Sequence, residues 1–209
     1  QGKGRVDPTP TGNFVDLSTN NSPPYINLIS SFDISLITTP YLPNMNSSDY
    51  FSPISIKSDK LSDYLFNLPY NDLYWEDHFG FNASELSLDW LVKDQGLYAI
   101  HNLYPIARLG LVKILPNSFY YWHKDQYRLS CINMLIKHQH SHCLFGEERD
   151  DYYTDVLELK YKPRTYYLFN NQKQHSVLNF NKTRYMFSLY FKDELNYNLL
   201  KDILHPILK

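Results

Sequence analysis

Between residues 106 and 191 the chain holds seven short runs rich in β-branched, aromatic and aliphatic residues. They lie at 106–115, 119–125, 128–137, 156–161, 165–169, 176–180 and 184–191, separated by Asn, Pro, Gly and charged residues. Runs of this length at this density are too short and too closely punctuated for a helical bundle. They bury their apolar faces only if two sheets pack on each other or one sheet closes on itself. The 19 Tyr and 12 Phe against 7 Gly lean the same way, since aromatic side chains suit pleated, half-buried surfaces. The expected class is mainly β with flanking helices.

Around this region the signals are local. Residues 1–24 are dense in Pro, Gly, Asn, Ser and Thr and predict an extended N-terminal arm without a core of its own. Residues 25–56 predict short edge strands interrupted by Pro40, Pro43 and Pro53. Leu61, Tyr64 and Leu65 stand at helical spacing after Ser58-Asp59, and Pro69 ends that helix. Asn82-Ala83-Ser84-Glu85 reads as a capping box leading into Leu86, Leu88, Leu91 and Val92. This predicts a second helix to about Asp94, broken by Gln95-Gly96. A last helix is expected over 193–204, with Leu195, Leu199 and Ile203 on one face. Residues 25–209 are thus expected to form a single domain with its β core at about 106–191.

A chain of 209 residues with 20 basic and 22 acidic side chains has a net charge of only −2 and no Lys/Arg block, which argues against nucleic acid as a partner. No window reaches the roughly 20 apolar residues of a membrane span. Cys131 and Cys143 are too few for a disulfide framework and suit free thiols in a reducing compartment. The cytoplasm is the expected location.

Chemistry concentrates in Tyr121-Trp122-His123-Lys124-Asp125, read with His175 and Arg184. Residues two apart on a strand share a face, so His123 and Asp125 can converge from one rigid element. With His175 from a second strand they make two imidazoles and one carboxylate. That is the donor set of a mononuclear non-haem Fe(II) centre with open positions. Arg184 can then supply a fixed cation for a cosubstrate carboxylate, and Ser188, on the same face four residues on, a hydroxyl beside it. By the same parity Tyr121 faces the site, and Trp122 and Phe187 are candidate pocket walls. Parity also separates Arg128 from Asn133 on a regular strand. A competing cluster, His138-Gln-His140-Ser-His142-Cys143, resembles zinc ligands. However, alternate strand residues stand roughly 7 Å apart, too far for one tetrahedral ion, so a polar loop or strand end is the expectation there.

The order His123-x-Asp125, His175, Arg184 resembles the Fe(II)- and 2-oxoglutarate-dependent oxygenase superfamily. His175-Ser-Val-Leu-Asn179 followed by Arg184 is similar to the distal half of its aspartyl/asparaginyl hydroxylase and prolyl hydroxylase-like branches. The resemblance spans about 106–191. It implies a double-stranded β-helix (a cupin-like jelly roll), Fe(II) held by His123, Asp125 and His175, and 2-oxoglutarate held by Arg184 with Ser188 and Asn133. Arg128, Tyr121 and Trp122 would then stand near the substrate. The implied reaction consumes O2 and releases succinate and CO2. The substrate would be an amino-acid side chain, free or peptidyl, or a small metabolite. A second reading is a cupin-like metal- or ligand-binding protein without turnover, which has no use for an arginine aimed at the metal.

Overall fold

The computed structural model describes residues 45–207 apart from 57, 58, 79, 138, 139, 150 and 151. The arm at 1–24 and the short strands expected at 25–44 lie outside the described residues. In chain order the elements are β1 Phe51–Ile54, α1 Asp59–Asn67, β2 Glu76–His78, β3 Phe81–Leu86, α2 Trp90–Lys93, α3 Gln95–Leu103, β4 Ile106–Ile114, β5 Ser118–His123, β6 Ser130–Lys137, β7 Ser141–Arg149, β8 Tyr152–Leu159, β9 Tyr166–Asn170, β10 Gln174–Asn179, β11 Arg184–Phe191 and α4 Tyr197–Ile207.

Every strand pairing is antiparallel. Seven strands form one sheet in the order β1-β9-β6-β11-β4-β3-β2, and four form the other in the order β5-β10-β7-β8. This is the jelly roll that the resemblance implies, extended at one edge by β2 and β3. β6 is buried on both faces through Ile136 because it is central to the larger sheet. Its alternate residues serve two cores. Ile132 and Met134 join Phe187, Leu189 and Leu168 under the helices, where Leu61 and Leu65 of α1, Leu97 and Ile100 of α3, and Leu200 and Leu204 of α4 pack. Cys131 faces the other way, into an inner core with Phe145, Leu159, Tyr167, Phe169 and Val177. Among the described residues no helix is long and apolar enough to cross a membrane.

Three local expectations are overturned. The capped helix from Asn82 is instead strand β3, with Ala83 opposite Val112 and Glu85 opposite Gly110. Leu86 enters the core, whereas Leu88 and Val92 are exposed, so their helical spacing never becomes a buried face. The ladder to β4 satisfies this backbone more completely than one side-chain cap can. Gln95-Gly96, read as a breaker, opens α3, because the Asp94 carboxylate accepts from Gly96 N–H and Leu97 N–H. The closing helix starts at Tyr197 and buries Tyr197, Leu200 and Leu204, leaving Leu199 exposed. The histidine-rich stretch also takes a definite form. Ser141–Arg149 is a full strand, with Cys143 and Phe145 facing inward and His142 paired with Glu158. His138 lies outside the described residues.

Candidate metal centre and anion pocket

His123 ends β5 and His175 sits directly opposite it on β10. The ring centroids are 4.2 Å apart. Asp125 follows β5 by two residues and is fixed by its backbone, since its N–H donates to the Asn171 carbonyl (3.0 Å) and its own carbonyl accepts from Gln172 Nε2 (3.1 Å). His123 Nε2 and His175 Nε2 stand 3.4 and 3.6 Å from Asp125 Oδ1. All three ligand atoms lie within 4.8 Å of one another, and among the described residues no other trio of His, Cys or acidic side chains converges in this way.

The surrounding contacts prepare each ligand. Both Nδ1 atoms face backbone carbonyls, His123 that of Tyr121 (2.7 Å) and His175 that of Lys173 (2.9 Å). A carbonyl only accepts, so Nδ1 carries the proton and the Nε2 lone pair is left for a metal. Asp125 Oδ2 accepts from Arg128 Nε (2.7 Å), Arg128 Nη2 and Asn171 Nδ2 (2.6 Å), which leaves Oδ1 turned to the histidines. Burial opposes the Asp125 charge. The adjacent His123 ring and the Arg128 guanidinium nevertheless hold its carboxyl well below the usual range. Burial, followed by the field of His123, pushes His175 down to about 4, so its imidazole is neutral at physiological pH. Two imidazoles and one carboxylate are the donor set that a divalent iron site requires. The residues fit the metal.

One cavity takes in these three side chains together with Arg128, Asn133, Arg184, Met186 and Ser188. The inner face expected of β11 is therefore as found, and Phe187 packs under the helices instead of walling the pocket. Arg128 and Asn133 share the cavity after all, because Arg128 precedes β6 and is free of its alternation. An open groove shares Phe81, Tyr120, His123, Asp125, Arg128 and Tyr190 with this cavity and adds Lys124, Gln126 and Tyr127. The candidate metal centre thus stands where a partly open pocket meets a more open groove.

Arg184 is 1 % exposed. Its Nη2 donates to Met186 Sδ at 3.6 Å, and its Cζ lies 5.4 Å from the Tyr161 ring. Among the described residues Nε and Nη1 are buried without any acceptor. No ion pair among the described residues includes this guanidinium. A buried cation without an anion is costly, and among the described residues no acidic side chain offsets this one.

Two sequence expectations shift. Tyr120 opposes Val177 while His123 opposes His175, so β5 carries one residue more than β10 over this span. That bulge reverses the parity. Tyr120 lines the cavity with its ring 4.2 Å from His123, whereas Tyr121 is 63 % exposed and packs on Phe119. Neither Tyr121 nor Trp122 lines the cavity or the groove. Ser188 does line the cavity, but its hydroxyl donates to Asn133 Oδ1 (2.6 Å). Asn171 and Tyr120 were missed. The Asn-rich turn before His175 was a visible signal for the first, and nothing local pointed to the bulge.

Gly80 supports Tyr120 from outside. Its φ is +87°, and a Cβ there would meet Tyr120 Cδ2 at 2.6 Å. Gly80→Ala is expected to cost about 1–2 kcal/mol in backbone strain alone and to push Tyr120 towards His123. A thermal melt and a metal titration of the variant check both effects.

No protein-family model and no curated protein sequence matches the chain. Among solved structures it is similar to a prolyl hydroxylase of Trichoplax adhaerens in complex with a hypoxia-inducible-factor peptide fragment (TM-score 0.52, 13% identity, covering 73% of this chain and 88% of that one). It is also similar to HygX of Streptomyces hygroscopicus with nickel, 2-oxoglutarate and hygromycin B bound (TM-score 0.50, 9% identity, covering 68% of this chain and 82% of that one). At these identities the likeness is one of fold, and the fold is the jelly roll of the 2-oxoglutarate/Fe(II) oxygenases.

Proposed function

We propose that the protein is an Fe(II)- and 2-oxoglutarate-dependent oxygenase, a hydroxylase of an amino-acid side chain, free or peptidyl, or of a small metabolite. The observation that carries this reading is Arg184, a buried guanidinium with two unpartnered N–H groups in the same cavity as a His-Asp-His cluster. A metal-binding jelly roll without turnover explains the cluster but leaves that cation without a purpose.

His123, Asp125 and His175 would hold the iron. Arg184 would pair with the far carboxylate of 2-oxoglutarate and fix its orientation. When bound, iron and 2-oxoglutarate together supply an oxidation by O2 coupled to release of succinate and CO2. Asn133 lines the same cavity with its Oδ1 accepting from Ser188 and from Cys131 Sγ, an arrangement that leaves its amide NH2 to donate. On the groove side, Arg128 keeps Asp125 in place, stacks over Tyr190 with its Cζ 4.4 Å from the ring centroid, and retains a buried Nη1 without an acceptor. That N–H suits a carbonyl or carboxylate oxygen of the substrate. Phe81, Tyr120, Tyr127 and Tyr190 give the groove apolar walls for the rest of it.

The test is anaerobic titration of Fe(II)-loaded protein with 2-oxoglutarate, followed by the visible charge-transfer absorption of the chelate. The band is expected to saturate with one equivalent. Iron binding without a band would leave a metal-binding jelly roll of another kind.

A further inference from the structure

The sheet face that lines the metal pocket continues beyond it. Ser188 lies opposite Gly110, which lies opposite Glu85, and Met186 lies opposite Val112, then Ala83, then Glu76. Residues opposite each other across a ladder share a face, so the pocket's face runs on over β4, β3 and β2. An open shelf lies along this extension, floored by the small side chains of Gly110 and Ala83. Phe81 and Tyr190 line both the shelf and the groove beside the metal centre, so the two openings are continuous. From Met186 to Glu76 the face crosses three strand spacings, about 14 Å at roughly 4.8 Å each. A free amino acid or small metabolite at the metal leaves that length empty. An extended peptide, at about 3.3 Å per residue, spans it with roughly four residues.

The charges on the shelf indicate which peptide. Glu76, Glu85 and Arg108 stand exposed there. Among the described residues neither Glu85 nor Arg108 enters an ion pair, and the ion-pair partner of Glu76 is His78, 3.9 Å away. Two carboxylates against one guanidinium leave one negative charge in excess, histidine counted as neutral. Glu85 stands two strand spacings from Ser188, about 10 Å or three extended residues. We propose that the substrate is a peptide lying extended from the metal centre across β4 onto β3 and β2, with a Lys or Arg about three residues from the oxidised one set against Glu85 and Glu76. The assignment rests on the oxygenase reading and deepens it, choosing the peptidyl substrate class and making the β2–β3 extension a specificity subsite. Charge pairs on an open shelf stay hydrated, so they select among peptides more than they tighten binding.

The experiment uses the full chain loaded with Mn(II) and 2-oxoglutarate, with O2 excluded, and pans it against a phage-displayed library of random 12-residue peptides. The enriched peptides are expected to carry Lys or Arg at one fixed register. The best of them is then synthesised and titrated against wild type and Glu85→Lys, a change at an exposed position that should leave the melting temperature, Mn(II) affinity and 2-oxoglutarate affinity as they are. The variant is expected to bind that peptide about tenfold more weakly, and a peptide with Glu in place of the basic residue should reverse the order of the two proteins. Enrichment without a basic register, or equal peptide affinity in wild type and Glu85→Lys, would overturn the charge subsite. No enrichment by a protein that binds 2-oxoglutarate would overturn the peptide assignment alone. Failure of wild type to bind 2-oxoglutarate would overturn the oxygenase reading together with it.

Discussion

Asp125→Asn is expected to abolish metal binding in a protein that still folds, whereas Asp125→Ala is expected to lose the metal and about 3 kcal/mol of stability besides. The difference follows from what the second carboxylate oxygen does. Oδ1 faces the two histidines, but Oδ2 holds Arg128 through Nε and Nη2 and accepts from Asn171. Alanine removes both functions and leaves a largely buried guanidinium unpaired, a change that costs about 3–5 kcal/mol where burial is complete. Asparagine keeps an acceptor for Arg128 and removes the anionic ligand. Metal stoichiometry and thermal melts of the two variants separate the effects. Full iron occupancy in both would remove Asp125 from the ligand set.

Arg184→Met should leave the metal bound and weaken 2-oxoglutarate by about 2–4 kcal/mol, the range for truncating one partner of a buried charge pair. In affinity that is roughly thirty- to several-hundred-fold. The direction for the ligand-free protein is the opposite of the usual core substitution. Arg184 has no carboxylate partner to strand, and methionine replaces an uncompensated charge with an apolar chain of similar length, so the melting temperature should hold or rise. A large fall in stability with unchanged 2-oxoglutarate affinity would show that the guanidinium serves the fold.

The two predictions differ in how far the sequence alone carried them. Period-2 spacing was enough to propose that His123 and Asp125 converge, and strand-forming runs around His175 and Arg184 were enough to bring those residues into the same set. The exact face was not legible at Tyr121, because a bulge depends on how β5 lies against β10, and either strand alone looks regular. The helix read from Asn82 failed for a related reason. A side-chain cap is a local signal worth about 1 kcal/mol, and a five-residue ladder to β4 outweighs it once that strand is alongside. Gln95-Gly96 was read as an end because Gly discourages helices, while Asp94 just before it was the start signal.

The sequence by itself determined the β-rich class, the segment that carries it and the types of donor available to a metal, since these follow from periodicity and side-chain chemistry. Tertiary structure alone decided the rest. It gave Asp125 Oδ2 to Arg128, committed Ser188 to Asn133, and left Nε and Nη1 of Arg184 without an acceptor among the described residues. The physical reason is that a donor is orphaned only by what fails to surround it. That property belongs to the packed neighbourhood, built here from strands and loops more than fifty residues apart in the chain, and no local stretch of sequence contains it.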